Sequence, residues 1–239
     1  LSALSYPYDQ FVLQLKFRHL RFKYFHGFLE NLDQVNRYIT GRGLEYTNMS
    51  NFIISFQEVS IYSGFNRGID FAYLNPMSTH LEIELNEKDN DSNGTGSQNA
   101  VWQFSLDYMP IKQLRLSSNL LIDELKIDSH KSDTLSTDND YAFYNRISYS
   151  FVYQKFYVIS SLKQIYVSPY TFRHEKGSNN FILNSGTLGH RFGSDFLNYE
   201  SSLKLIIPYR LNITLKYGII NSGFNDIRQN PYNTYNFTY

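Results

Sequence analysis

The chain has 239 residues, no cysteine, and 22 basic against 22 acidic residues, so its formal charge is zero. Disulfides and thiol chemistry are excluded, and no basic footprint for a nucleic-acid partner is present. With 21 Tyr and 19 Phe but a mean hydropathy of −0.40, the chain is aromatic and polar at once; a transmembrane β-barrel has this balance because each strand is apolar on one face only.

The first residues, LSALSYPYDQ, contain neither an initiator Met nor a basic-then-apolar signal region, and a fragment lacking its N-terminal portion is expected. Period-two alternation then predicts strands at about 11–29, 37–47, 51–63, 100–109, 113–126, 141–153, 156–166, 196–207 and 210–220. In VWQFSLDYM, for example, Trp102, Phe104, Leu106 and Tyr108 alternate with Gln103, Ser105 and Asp107. Two segments change phase. Phe11 to Phe17 and Leu20 to Tyr24 have opposite parity, as do Phe52 to Phe56 and Val59 to Ile61, so bulges are expected near Arg18-His19 and near Gln57-Glu58. Helical periodicity is hardly visible, and no run approaches the roughly eighteen apolar residues of a membrane-crossing helix.

The connections alternate in length. TNMSN, MPIKQ, Gln154-Lys155 and IPYR are tight turns, whereas 64–99, 127–140 and 167–195 are long and rich in Ser, Asn, Asp and Gly. Outer-membrane barrels have this asymmetry, with short periplasmic turns and long extracellular loops. The tail NTYNFTY places Tyr235, Phe237 and Tyr239 on one face, as a closing strand with an interfacial girdle would. The expected fold is all-β: an antiparallel transmembrane β-barrel, or part of one with about nine to eleven strands, forming a single domain over 1–239.

NRYITGRGLEYT, SFQEVSIYSGFNRGIDFAYLNP, LRLSSNLLIDELK and the later TLGHRFGSDF follow one another in an order that resembles the capsule assembly Wzi family, over roughly residues 17–217. The resemblance implies an outer-membrane barrel of about eighteen strands with a helical element on its periplasmic side. It also implies a non-catalytic role in binding surface polysaccharide and anchoring capsule. The chain departs from the family in carrying about half of those strands.

No catalytic constellation is visible: the six His are scattered, with no HExxH pair and no GxSxG elbow, so no enzyme activity, metal or cofactor is expected. Charged strand positions are more informative, because a charge facing lipid would cost about 2–4 kcal/mol near the midplane. Arg37, Glu45, Glu58 and Asp107 are therefore expected in a polar network of the lumen, together with Arg115, Asp123, Glu124 and Arg146. Sugars favour aromatic faces beside planar donors and acceptors. Tyr62, Asn66, Arg67, Tyr73 and Asn75 form one such set, a polysaccharide-binding candidate, and Tyr170, Arg173, His190 and Arg191 a second. The alternative for loop tyrosines is a headgroup girdle. The expected partners are capsular or surface polysaccharide and outer-membrane lipid, with a monomer as the oligomeric state. A diffusion porin is the main rival, ahead of an outer-membrane hydrolase and a soluble β-sandwich.

Overall fold

The protein is all-β, built on a ten-stranded antiparallel sheet. The structure, a computed structural model, describes residues 7–87, 98–123, 140–174, 176–229 and 231–232. The strands are β1 (Asp9–Phe17), β2 (Leu20–Leu32), β3 (Val35–Thr47), β4 (Phe52–Phe65), β5 (Gln98–Ile111), β6 (Leu114–Asp123), β7 (Asp140–Tyr153), β8 (Phe156–Val167), β11 (Phe196–Ile207) and β12 (Leu211–Ser222). They lie side by side in chain order. A two-stranded hairpin, β9 (Ile182–Leu183) with β10 (Gly186–Thr187), sits in the connection between β8 and β11. Two short helices, α1 (Phe71–Leu74) and α2 (His80–Glu87), follow β4.

Three sequence expectations change. The strand expected at 11–29 is two strands, β1 and β2, and the phase change at Arg18-His19 is the turn between them, with Arg18 at φ 46°. No bulge occurs at Gln57-Glu58: β4 runs in unbroken register with β3 and with β5. The register instead shifts between Phe28 and Glu30 and between Tyr108 and Ile111. Asp33 and Gln34 both take positive φ (47° and 70°) and close a two-residue hairpin at the loop end, so one connection there is tight. Among the described residues β1 and β12 occupy the two ends of the strand order and do not pair, so the sheet has two edges.

The sheet is nonetheless curled, because one cavity is lined from β1 through β8. Its inner face is covered at the loop end by 168–195 and by Ile227. Phe172, Phe181, Ile182, Leu183 and Leu188 pack there on Ile39, Ile61, Val101, Ile165, Val167 and Phe196, from strands as far apart as β3 and β11. We call segment 168–195 the plug. The outer face carries Leu44, Ile54, Phe56, Leu106, Ile147, Leu162, Leu203, Ile213 and Leu215, all exposed. That apolar surface is far larger than the patches a soluble monomer shows.

The apolar phase of β4 changes at Glu58 because the covered face changes. Near the tight turn Phe52, Ile54 and Phe56 are apolar on the outer face, with Ile53 exposed on the inner one; further along, the plug covers Val59 and Ile61 on the inner face while α1 and α2 cover Tyr62 on the outer face. An undistorted strand buried on both sides loses its alternation.

Candidate functional site

After Phe65 the chain folds back as a flap on the outer face. Gln34 accepts a hydrogen bond from the Asn66 N–H (2.7 Å), and the Arg67 carbonyl accepts from Asn36 Nδ2 (2.8 Å) and from the Tyr38 hydroxyl (3.0 Å). Asp70 caps α1 by accepting from the Ala72 N–H (3.0 Å) and pairs with Arg67 (2.8 Å). The Tyr73 ring then stacks on Tyr62 at 3.9 Å, Tyr62 on Tyr38 at 5.0 Å, and the Arg67 guanidinium lies 4.8 Å from the Tyr62 ring centre. Tyr62, Arg67 and Tyr73 are thus brought together, but the two tyrosines are 0% and 1% exposed and offer no open ring face for a sugar. Asn66 is exposed, and so is Asn75, which accepts from the Met77 N–H (3.1 Å) in the next turn. This set holds the flap down.

Glu58 belongs to the same outer face, contrary to its expected place in the lumen. It pairs across the strands with Arg42 (3.5 Å) and accepts from the His80 N–H (2.8 Å) and Trp102 Nε1 (3.0 Å). Arg67 and Glu58 therefore have different partners.

On the inner face Arg37 is fully buried and ties the plug to the wall. Its guanidinium pairs with Glu30 and donates to the carbonyls of Ser178, Ile182 (2.9 Å) and Asn180 (2.6 Å), with the Tyr232 ring 5.4 Å away. Asp123 does the same on β6, accepting the N–H of Phe172, a residue held at φ 76°. Ser63 bonds Ser178 (2.8 Å) and Asn179 (2.6 Å), and Asn99 donates to the Arg173 carbonyl (3.2 Å). The glycines of TLGHRFG have a packing reason: the Phe172 ring lies 2.6 Å from where a Cβ on Gly189 would stand.

Beneath the plug lies a cavity of about 570 Å³. Phe172, Phe181, Leu188 and His190 form its roof. Its wall is a row of neutral donors and acceptors across adjacent strands. Gln57 stands directly opposite Gln103, Gln103 Nε2 donates to Asn119 Oδ1 (3.2 Å), and Asn119 stands opposite Tyr144. Gln14, Arg21, Lys23 and Glu45 complete it on the β1–β3 side. Sequence reasoning passed over this amide row because it followed the charges; the signal was the polar phase of VWQFSLDYM, which points Gln103 the same way as Asp107.

The charges expected in a lumen network form separate pairs on this face. Arg21 bonds Glu45, Arg115 bonds Asp107 (2.7 Å), and Arg146 reaches the Ser161 hydroxyl at 3.5 Å. Glu124 lies outside the described residues. Of the second loop set, Arg173 donates to the Asp226 carbonyl (2.9 Å) and Tyr170 accepts the Arg173 N–H (3.0 Å), both within the plug's own scaffold. The Arg191 guanidinium lies over the Phe192 ring at 4.5 Å.

His190 carries a pH prediction. Burial, then Arg191 and Lys163, lower its pKa from 6.5 to about 4, so the folded plug holds the imidazole neutral where the unfolded chain would protonate it. The unfolded state then binds more protons between these values, and stability falls as pH drops from about 6.5 toward 4. Protease protection of the plug should decline over that window, and His190→Phe should flatten the decline; an equal decline in H190F would assign it to other groups.

Comparison with protein-family models, curated proteins and solved structures returns no match.

Proposed function

We propose that this sheet is the wall of an outer-membrane β-barrel that binds and anchors capsular or surface polysaccharide without catalysis, in the manner of the Wzi-type proteins its motifs resemble. The observation that carries the binding function is the Gln57–Gln103–Asn119–Tyr144 row under an aromatic roof. Planar amides donate and accept at once, as vicinal hydroxyls require, and ring faces suit the C–H side of a pyranose. Two observations support the membrane setting. The outer face is a broad exposed apolar surface, and its strand charges among the described residues are confined to Asp9 at the loop end and to the Arg42–Glu58 pair beneath the flap. Every other charged strand side chain shares the inner face, as lipid contact would demand.

The plug weighs against the porin reading, because it occupies the inner face at the loop end, where a diffusion channel would open.

The test is retention of the chain on immobilised capsular polysaccharide, after heat-modifiable gel migration shows that the protein has inserted as a folded sheet. Replacing Gln103 and Asn119 together by leucine should weaken retention by roughly tenfold, the loss of two sugar hydrogen bonds of about 0.5–1.5 kcal/mol each. Unchanged retention in a folded Q103L/N119L variant would remove the cavity from the binding role.

A further inference from the structure

The two faces of the sheet differ most in charge, and the inner face has a sign. Below the plug, register places Lys16, Arg21 and Lys23 on the inner face of β1 and β2, and Arg115, Arg146 and Lys163 on β6 to β8. Lys204 and Lys216 continue the set on β11 and β12. The acids on the same stretch are Glu45, Asp107 and Glu200, and each already has a partner: Arg21, Arg115 and Lys163 (2.8 Å) respectively. Lys16, Lys23, Arg146, Lys204 and Lys216 share the face with no acid within salt-bridge distance among the described residues. A chain of zero net charge therefore presents a cationic inner surface.

Lys23 lies in the wall of the cavity itself, on the strand next to the glycine-flanked segment of β3, where Gly43 faces it directly. Gly43 leaves no side chain between Lys23 and Gln57 on the far side of β3. An ammonium and a primary amide thus border the same open space. Hydrogen bonds to ionised groups are about twice as strong as neutral ones, and a cleft lined by one sign of charge concentrates the opposite ion.

We infer that the ligand of this cavity is an anionic glycan, one whose sugar rings carry carboxylate or sulfate groups, with Lys23 as the contact for the anionic group and the Gln57–Gln103–Asn119 row as the contact for hydroxyls. The inference rests on the polysaccharide-binding reading above and narrows it to a charge class.

The chain in detergent micelles is passed over immobilised polygalacturonate, its methyl ester, dextran, dextran sulfate and polyglutamate. Polygalacturonate should retain the chain, its methyl ester and dextran should retain it at least tenfold less, and added salt should release it. Retention of dextran sulfate alone among the polyanions supports the anionic class with sulfate as its group. Lys23→Gln should weaken retention by about tenfold, the loss of one charge-assisted hydrogen bond. Glu45→Gln, which frees Arg21 from its partner, should strengthen it, a sign that mere damage to the wall would not produce. Equal retention of the methyl ester or of dextran overturns the anionic class while leaving polysaccharide binding standing. Retention of polyglutamate as strong as that of polygalacturonate overturns it too, because the surface would then act as a simple ion exchanger. Retention of no polymer at all removes both readings.

Discussion

Arg37→Met should destabilise the protein by about 3–5 kcal/mol, the usual cost of breaking a buried ion pair from one side. The substitution leaves Glu30 without its cation and withdraws donors from the carbonyls of Ser178, Asn180 and Ile182. Because those carbonyls all belong to the plug, the loss is local before it is global. Trypsin should cut after Lys176, which is exposed, far faster in R37M than in the parent chain. Gel migration of the folded sheet should persist at low temperature. Combining R37M with Glu30→Gln should recover part of the stability, since removing both charges leaves none to desolvate. Protection of Lys176 that is unchanged in R37M would mean that Ser63, Asn99 and Asp123 hold the plug without it.

A second large effect is expected on the opposite face. Glu58→Ala strips the counter-ion from Arg42, whose side chain is 9% exposed and whose guanidinium nitrogens make no hydrogen bond among the described residues. It also removes the acceptor of the His80 N–H and of Trp102 Nε1. The expected cost is again about 3–5 kcal/mol. Here a spectroscopic readout is built in. Trp102 is the single tryptophan of the chain, so its emission should shift when its indole loses Glu58. Arg42→Met with Glu58→Met should recover part of that loss, since an apolar pair can replace a buried ion pair while the His80 N–H and Trp102 Nε1 still lack their acceptor. If R42M/E58M proves as unstable as E58A, the pair is needed for more than mutual neutralisation.

Most of the sheet was legible because alternation on a half-buried strand is a direct record of which face is covered. The tight turns at TNMSN, MPIKQ, Gln154-Lys155 and IPYR all connect strands where expected. The turn at Arg18-His19 was hidden because neither residue carries a turn signature; the backbone takes φ 46° at an arginine. The phase change at Glu58 was visible but its cause was not. A bulge and a change of cover produce the same letters, and only the position of α1, α2 and the plug separates them. The helices themselves were illegible. α1 is a single turn and α2 faces the sheet with Ile83 alone among its described side chains buried, too little for a helical period to register. At the site, charges drew the eye, yet Arg37 and Asp123 serve the plug, Glu58 serves the flap, and the cavity wall is built from Gln and Asn. Uncharged amides show in the sequence only as the polar phase of a strand, which marks a face and not a site.

The plug has one more consequence, for the order in which the molecule can assemble. Every strand of the large sheet except the β8–β11 pair joins its immediate successor in the chain, so the wall can zip together hairpin by hairpin at small entropic cost. Arg37 instead waits for carbonyls 141 to 145 residues further along. The wall can therefore form before its roof: the cavity is covered only when the chain between β8 and β11 meets an arginine that lies two strands into the sheet.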